Sequence, residues 1–120
     1  MKEIVAFIRI NKTQRTRDAL AEKGYYSMTV NNALGRGRQK GLQYEINGEP
    51  VKEYEKGARL SYIPKRMVTL VTNDDKVEEV VSTIIDVNKT GNIGDGKVFV
   101  CPIEDAVRVR TNEKGERAIL

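Results

Sequence analysis

The pattern of apolar and polar positions predicts a strand followed by a helix at the start of the chain. Residues 3–10 form an apolar run of strand length, as expected for a strand covered on at least one face. Asn11 is a suitable helix N-cap, and Gln14 three residues later completes a pattern like a capping box. The predicted helix continues to residue 22 or 23 and ends at Gly24, a residue type common just after helices.

The same order of elements recurs after a long interval. Residues 67–71 form another strand pattern, and Asp74 or Asp75 is the predicted cap of a second helix. The apolar residues of this helix recur at the spacing i, i+3, i+4, i+7 and i+8, which predicts one buried stripe. These residues are Val77, Val80, Val81, Ile84 and Ile85.

A strand pattern follows each helix, at residues 26–34 and at residues 98–100. A shift of 63 positions places the first strand and helix on the second, so this unit looks duplicated. The order β-α-β, long insert, β-α-β predicts an α+β fold of the ferredoxin-like type, with an antiparallel sheet and both helices on one face. A length of 120 residues suits one domain that spans residues 1–120.

The insert, at about residues 37–63, is rich in glycine and charge and has little periodicity. Connections of this length inside a compact domain are usually functional or disordered. Both interpretations stay open, and ordering on contact with a ligand or partner would satisfy both.

Composition excludes several kinds of catalytic site. The chain has no histidine and one cysteine, which excludes a Ser-His-Asp triad, a Cys-His pair and a zinc site. The net charge of +4 is interleaved with acidic residues, which favours a solvated surface with anion-binding spots over a nucleic-acid interface. No apolar run approaches the ~18 residues of a membrane span, and the start of the chain has no signal-peptide pattern, so we expect a cytoplasmic protein without membrane insertion.

The glycine-rich stretch at residues 91–97 is the strongest local signal. Three glycines and Lys97 leave backbone N–H groups accessible beside one ammonium group, which suits a phosphate. The stretch matches a Walker A loop literally, but Val98 replaces the Ser or Thr, and a helix precedes the loop where a Walker A loop has a strand. It is therefore either another kind of anion cradle or a plain glycine turn. Asp95 inside it is expected to stabilise the turn and not to act as an acid or base.

Three further features suit an anion. They are the glycine-spaced basic segment at residues 35–41, Lys65 just before the third strand, and the pair Arg108 and Arg110. Alternation predicts that both guanidinium groups lie on the same side of an extended segment. Each feature alone could be a solvated charge, but four of them in one small domain make a polyanionic ligand plausible.

These same residues resemble the PII family of nitrogen regulatory signal proteins over nearly the whole chain. The most specific segment is TG-x-I-GDGK-x-F from Thr90 onward, followed by R-x-R at Arg108. The resemblance implies a ferredoxin-like trimer with a T-loop at about 37–63, a B-loop at about 90–97 and a C-loop at about 105–112. The trimer could be a homotrimer, or a mixed trimer or hexamer with a paralogue.

The resemblance also implies ligands and their residues. ATP or ADP would lie between subunits, with Gly94, Gly96 and Lys97 on the phosphates and Thr29 at the adenine. The other nucleotide residues implied are Arg38 and, from the neighbouring subunit, Arg108 and Arg110. Gln39 matches the position that ligates Mg²⁺, and 2-oxoglutarate would bind this Mg²⁺. The residues implied for 2-oxoglutarate are Gly37, Gln39, Lys40, Gly41 and Lys65.

The details favour the nitrogen-fixation branch of the family. The T-loop is longer than in common bacterial members, and Tyr44, Tyr54 and Tyr62 do not match their uridylylated tyrosine. Arg36 and the segments 63–67 and 102–106 look like the branch whose members regulate nitrogenase. The expected function is therefore that of a non-catalytic sensor of ATP, ADP and 2-oxoglutarate, with at most slow ATPase activity. Nitrogenase is the expected target, and an ammonium transporter is the alternative.

Overall fold

The computed structural model describes residues 1–35 and 63–120. Along the chain it contains β1 (Lys2–Arg9), α1 (Thr13–Glu22), β2 (Thr29–Gly35), β3 (Ile63–Thr72), α2 (Val77–Asn88) and β4 (Lys97–Pro102). Short 3₁₀ turns at Ile10–Lys12, Asp74–Lys76 and Gly115–Ile119 complete the described part.

The four strands form one antiparallel sheet in the order β2-β3-β1-β4. Strands β1 and β3 are the first strands of the two repeated units, and they lie side by side at the centre of the sheet. Each is longer than the edge strand of its own unit, β2 or β4. Helices α1 and α2 pack against each other, and α2 packs on β1. This is the predicted ferredoxin-like arrangement, and the predicted fold is confirmed.

The core lies between the helices and one face of the sheet. Because side chains alternate along a strand, the even-numbered residues of β1 and β3 point to the same face, and the apolar ones among them are almost fully buried in the middle of the two strands. From the sheet these are Ile4, Ala6, Ile8, Val68 and Leu70, and from the helices Leu20, Val80 and Ile84. Burial of such a side chain typically contributes about 1.5–3 kcal/mol, so this cluster holds both helices on one side.

The two predicted N-caps are wrong, for the same reason in each half. A 3₁₀ turn precedes each α-helix, so Asn11 lies inside one turn and both Asp74 and Asp75 inside the other. Neither helix has a side-chain cap at its first position. Asp74 instead forms ion pairs with the amino group of Met1 at 3.0 Å and with Lys2 at 3.8 Å. The predicted end of α1 is confirmed: the N–H of Gly24 donates to the Ala21 carbonyl and that of Tyr25 to the Leu20 carbonyl, a Schellman motif.

Two boundaries and the buried face of α2 also differ from the sequence prediction. Residues 26–28 precede β2, and Ile63, predicted to end the insert, is the first residue of β3. The stripe of α2 is narrower than expected, because Ile85 is 45% exposed whereas Val80 and Ile84 are buried. Polar residues complete the buried side of α2, namely Thr83 and Asn88.

Asn88, the last residue of α2, fixes the point where the glycine-rich loop begins. Its side-chain Nδ2 donates to Thr16 Oγ1 at 3.0 Å and to the Ile84 carbonyl oxygen at 2.8 Å. Thr16 in turn donates to the Lys12 carbonyl oxygen at 2.7 Å. Because a buried amide needs hydrogen-bond partners, this chain of contacts ties the end of α2 to α1.

Candidate anion-binding site

The glycine-rich loop at residues 91–97 has a backbone that only glycine adopts easily. Gly91, Gly94 and Gly96 have φ angles of 86°, 102° and 108°. Gly96 also lies directly against β1, because a Cβ atom built there would be 1.8 Å from the carbonyl oxygen of Phe7. The glycine at 96 is therefore required by packing as well as by conformation.

Asp95 organises this loop from within. Its carboxylate accepts hydrogen bonds from the Thr90 backbone N–H at 2.8 Å, the Thr90 hydroxyl at 2.5 Å and the Gly91 N–H at 3.0 Å. The Thr90 hydroxyl and then these N–H groups lower the pKa of the Asp95 carboxyl below its usual value, and Arg9 adds to the effect. The predicted turn-stabilising role of Asp95 is confirmed.

Two cations hold the loop from the side of the sheet. Arg9 Nη2 donates to the Ile93 carbonyl oxygen at 3.1 Å and to Asp95 Oδ1 at 3.2 Å. Lys65 Nζ donates to the Gly94 carbonyl oxygen at 2.5 Å. Arg9 and Lys65 are direct partners in the β1–β3 ladder, which places both at the end of the sheet beneath the loop.

Lys65 is the most enclosed of these cations, with 8% of its surface exposed. Burial, and secondarily the charge of Arg9, lower the pKa of its ammonium group, while Asp95 opposes the shift. Lys97 differs because it is exposed, at the first position of β4 and opposite Phe7 in the ladder. Positive charge therefore surrounds the loop on two sides, one enclosed and one open to solvent.

The insert begins and ends at this same end of the sheet. Gly35, the last residue of β2, pairs with Ile63, the first of β3, and Ala33 pairs with Lys65. The segment at residues 36–62 therefore leaves and returns beside Lys65 and the loop. Of the residues that the sequence assigns to the site, Gly37, Arg38, Gln39, Lys40 and Gly41 lie in this segment, outside the described residues.

Thr29 and Arg108 lie at a different place. Together with Met28 and residues 118–120 they line a cavity of about 520 Å³. Thr29 begins β2, and Lys97 begins β4, on opposite edges of the sheet and three strand spacings apart. Strand spacings of about 4.8 Å make that separation at least about 14 Å, so one chain does not bring Thr29 to the loop.

The segment that carries Arg108 and Arg110 is not extended, so the predicted alternation is wrong. Residues 109–111 form a turn between bridge partners Val107 and Lys114, and the Asn112 N–H donates to the Arg108 carbonyl oxygen at 2.8 Å. Arg108 is half-buried, whereas Arg110 is exposed. A closed turn places side chains by its own geometry, and the two-residue period of a strand does not apply to it.

Sequence reasoning missed Arg9. It stands at the end of an apolar run, where it could be a plain end-of-strand charge. Its position opposite Lys65 depends on the register between β1 and β3, and a single strand pattern does not specify which residues pair. The sequence signal for Arg9 is its spacing of two residues from Phe7. This spacing places both side chains on the same face of the strand, which is the face of the sheet without helices.

The site holds cations, glycine backbone and one carboxylate that is already engaged by the loop. Among residues 1–35 and 63–120, no group of three or more His, Cys, Asp or Glu side chains is arranged to hold a metal ion. No helix in this part of the chain is long and apolar enough to cross a membrane. The arrangement can bind and neutralise an anion, and its described residues offer no pair of groups for proton transfer.

The fold and the site together define a ferredoxin-like domain with a cationic glycine loop at one end of its sheet. Comparison with known proteins identifies the family. The family model described as nitrogen regulatory protein P-II matches residues 1–113. This chain therefore belongs to the PII family of nitrogen regulatory proteins, whose members are regulatory signal proteins and not classical enzymes.

Individual relatives support the predicted branch. The chain is 55% identical to the nitrogen fixation nifHD region GlnB-like protein 2 of Methanobacterium ivanovii, with 100% of both chains covered. It is 47% identical to the nifHD1 region GlnB-like protein 2 of Methanosarcina barkeri, with 99% of both covered. The resemblance to the nitrogen-fixation branch is thus confirmed.

A solved structure confirms the fold independently. The crystal structure of Arabidopsis thaliana PII bound to citrate has a TM-score of 0.76 and 31% identity, covering 98% of this chain and 88% of that one. The anion in that structure, citrate, is a ligand of the Arabidopsis protein.

Proposed function

We propose that this protein is a PII-type sensor of ATP, ADP and 2-oxoglutarate that controls a nitrogen-metabolism target, nitrogenase, through residues 36–62. The observation that carries the proposal is the position of Arg9, Lys65 and the glycine loop at the end of the sheet where this segment begins and ends. A ligand bound there touches the loop and both ends of the segment at once. It can therefore shift the segment between states for which it has different affinity.

In the proposed site the nucleotide phosphates lie on the glycine loop. Gly94 and Gly96 leave the backbone open to a phosphate, and Lys97 supplies a charge-assisted hydrogen bond from the solvent side. Arg38 adds a second contact from the insert. Thr29 at the adenine and Arg108 and Arg110 on the phosphates complete the site from a neighbouring subunit. Within one chain Thr29 lies at least about 14 Å across the sheet from the loop, and Arg108 lines the same cavity as Thr29.

The proposed 2-oxoglutarate site lies deeper, at the enclosed cations. Lys65 and Arg9 already bind carbonyl oxygens and a carboxylate of the loop, which shows that their surroundings accept oxygen ligands. A carboxylate of 2-oxoglutarate is a stronger partner for a cation than a neutral carbonyl oxygen. Backbone groups of Gly37, Lys40 and Gly41 would complete this pocket, and Gln39 would supply one oxygen ligand to Mg²⁺, with the others coming from ATP and 2-oxoglutarate.

The helix-free face of the sheet supports a trimer as the working assembly. On this face the rings of Phe7 and Phe99 meet edge to face, with centroids 6.2 Å apart, yet Phe99 remains 49% exposed in the single chain. Val5, Met67 and Val71 share this face by register and are only partly covered. Apolar area of this kind is normally covered by another chain, and a trimer, homomeric or mixed with a paralogue, would cover it.

We therefore expect Phe99→Glu to break the assembly. A carboxylate at the centre of an apolar interface has no compensating partner, so its burial is costly. Light scattering coupled to size exclusion should show a wild-type trimer and a monomeric Phe99→Glu variant. The matched control is Ile85→Glu, which changes a residue of similar exposure (45%) on the helical side and should leave the trimer intact. A trimeric Phe99→Glu variant would show that another surface forms the interface.

Titration calorimetry tests the proposed ligands directly. We expect wild-type protein to bind ATP and ADP at the same site, and to bind 2-oxoglutarate only when ATP and Mg²⁺ are present. Arg9→Gln should abolish the 2-oxoglutarate heat and largely preserve the ATP heat, because Arg9 lies beneath the loop. Absence of ATP and ADP binding by the wild-type protein would contradict the proposal.

The target is tested by binding in two nucleotide states. Nitrogenase is the proposed partner because the relatives are named for nitrogen-fixation regions, and both proteins would work in the cytoplasm, without nucleic acid. Immobilised wild-type protein should retain nitrogenase to different extents with ADP and with ATP plus 2-oxoglutarate. Retention of a detergent-solubilised ammonium transporter in its place would support the alternative target.

A further inference from the structure

The end of the described chain engages Arg108, one of the residues assigned above to the nucleotide. Its Nη2 donates to the carbonyl oxygens of Arg117 at 3.1 Å and Leu120 at 2.6 Å. Its Nη1 donates to Glu113 Oε1 at 3.2 Å. Arg117 lies in the 3₁₀ turn Gly115–Ile119 and Leu120 follows it directly, and we call residues 115–120 the C-terminal strap.

The geometry of guanidinium makes this engagement consequential. Nη2 has two hydrogens, one on the edge shared with Nη1 and one on the edge shared with Nε, so both bidentate edges of an arginine fork use Nη2. In Arg108, Nη2 already donates to two strap oxygens. A phosphate that binds Arg108 in either bidentate manner must therefore compete with the strap for Nη2.

The strap also borders the cavity that contains Thr29. Ala118, Ile119 and Leu120 line this cavity of about 520 Å³, together with Arg108. The purine of a nucleotide that contacts Thr29 would thus meet the strap. The phosphates of the same nucleotide require the Arg108 guanidinium, which is bonded to the strap. The strap therefore affects both the purine contact at Thr29 and the phosphate contact at Arg108.

The start of the strap is held by hydrogen bonds, so residues 116–120 can move away from Arg108 while Gly115 stays in place. The N–H of Gly115 donates to the Ala106 carbonyl oxygen at 3.0 Å and to Asp105 Oδ1 at 3.1 Å. Leu120, at its other end, is 85% exposed. The contacts with Arg108 can therefore break without disturbing the sheet or the turn at Gly115.

We infer that the C-terminal strap is an internal competitor of the nucleotide: it occupies Arg108 in this structure and must release it when a phosphate binds. The inference rests on the proposed nucleotide site. It implies that nucleotide affinity is set partly by the strap, and that binding makes the strap accessible.

Calorimetry on a shortened chain tests this. Removal of residues 115–120 should tighten ATP binding by about fivefold or more, because two competing hydrogen bonds to a charged donor are lost. In an Arg108→Gln background the same removal should give a clearly smaller gain, because only the contact of the strap with the Thr29 cavity is then relieved. Lys114→Ala, adjacent to the strap and exposed, is the control and should leave the affinity unchanged.

A second measurement uses the full-length protein and does not depend on how the shortened chain folds. Saturating ATP should accelerate amide hydrogen exchange in residues 115–120. Wild-type protein that binds ATP with slower or unchanged exchange in the strap would overturn the inference and leave the proposed function intact. Equal ATP affinity of the full and shortened chains would do the same, whereas wild-type protein that binds no nucleotide would contradict the proposed function itself.

Discussion

Gly96→Ala is expected to lower the free energy of unfolding by more than about 3 kcal/mol, by combining backbone strain with steric overlap. The added Cβ would lie 1.8 Å from the Phe7 carbonyl oxygen and 2.9 Å from its carbonyl carbon. Both atoms belong to the backbone of a central strand, so neither can move without breaking the β1 ladder. Urea denaturation followed by circular dichroism measures the loss.

Gly91→Ala is the matched control for this prediction. Gly91 has a similar positive φ angle, 86° against 108°, but a Cβ there meets nothing within 4 Å. This variant should therefore show only the conformational cost, of about 1–2 kcal/mol. Equal losses in the two variants would mean that the contact between the loop and β1 does not limit the residue at position 96.

The same contact explains why the loop and the first strand act as one unit. Arg9 follows Phe7 on the same side of β1 and holds the loop through Ile93 and Asp95. The loop is thus attached to β1 at two places: Gly96 packs against the Phe7 backbone, and Arg9 forms hydrogen bonds with Ile93 and Asp95. Substitution at Gly96 should therefore move Lys97, which follows it directly. When Arg9 is replaced, Lys65 and the internal hydrogen bonds of Asp95 still hold the loop.

The fold could be predicted from the sequence because its repeated strand and helix patterns are local. Apolar runs and a 3.6-residue stripe identify elements one at a time, and their order alone leads to the split β-α-β arrangement. The predicted N-caps are wrong because the polar residue types that cap an α-helix also occur in a 3₁₀ turn that precedes the helix. Thr13 Oγ1, for example, donates to the Ile10 carbonyl oxygen within that turn at 2.8 Å.

The candidate site was only partly predictable, because its geometry depends on contacts between distant segments. The glycine loop carries a continuous motif and was found, as was the role of Asp95. Arg9 was missed because its meaning comes from pairing with Lys65. The arrangement of Arg108 was mispredicted, because a tight turn and a strap of later residues determine where its side chain lies.

Lys97→Ala is expected to weaken ATP binding by tenfold or more. A charge-assisted hydrogen bond to a phosphate contributes about 1.5–3 kcal/mol, and 1.4 kcal/mol corresponds to tenfold in affinity. Lys97 is exposed at the first position of β4, so its truncation removes charge beside the loop and leaves the core unchanged. Titration calorimetry gives the affinity, and the urea midpoint should equal that of the wild type.

The control for this variant is Lys76→Ala, which removes another exposed ammonium group, in the 3₁₀ turn before α2. It changes the net charge by the same amount, so it reproduces any general loss of electrostatic attraction for a polyanion. Weaker ATP binding in Lys97→Ala together with unchanged binding in Lys76→Ala would indicate a local contact between Lys97 and the phosphates. If both variants lose the same affinity, the loop lysine acts through the field of the whole domain, and the phosphates must lie elsewhere. If neither loses affinity, the enclosed pair Arg9 and Lys65 becomes the candidate site for the phosphates, and 2-oxoglutarate would need another position.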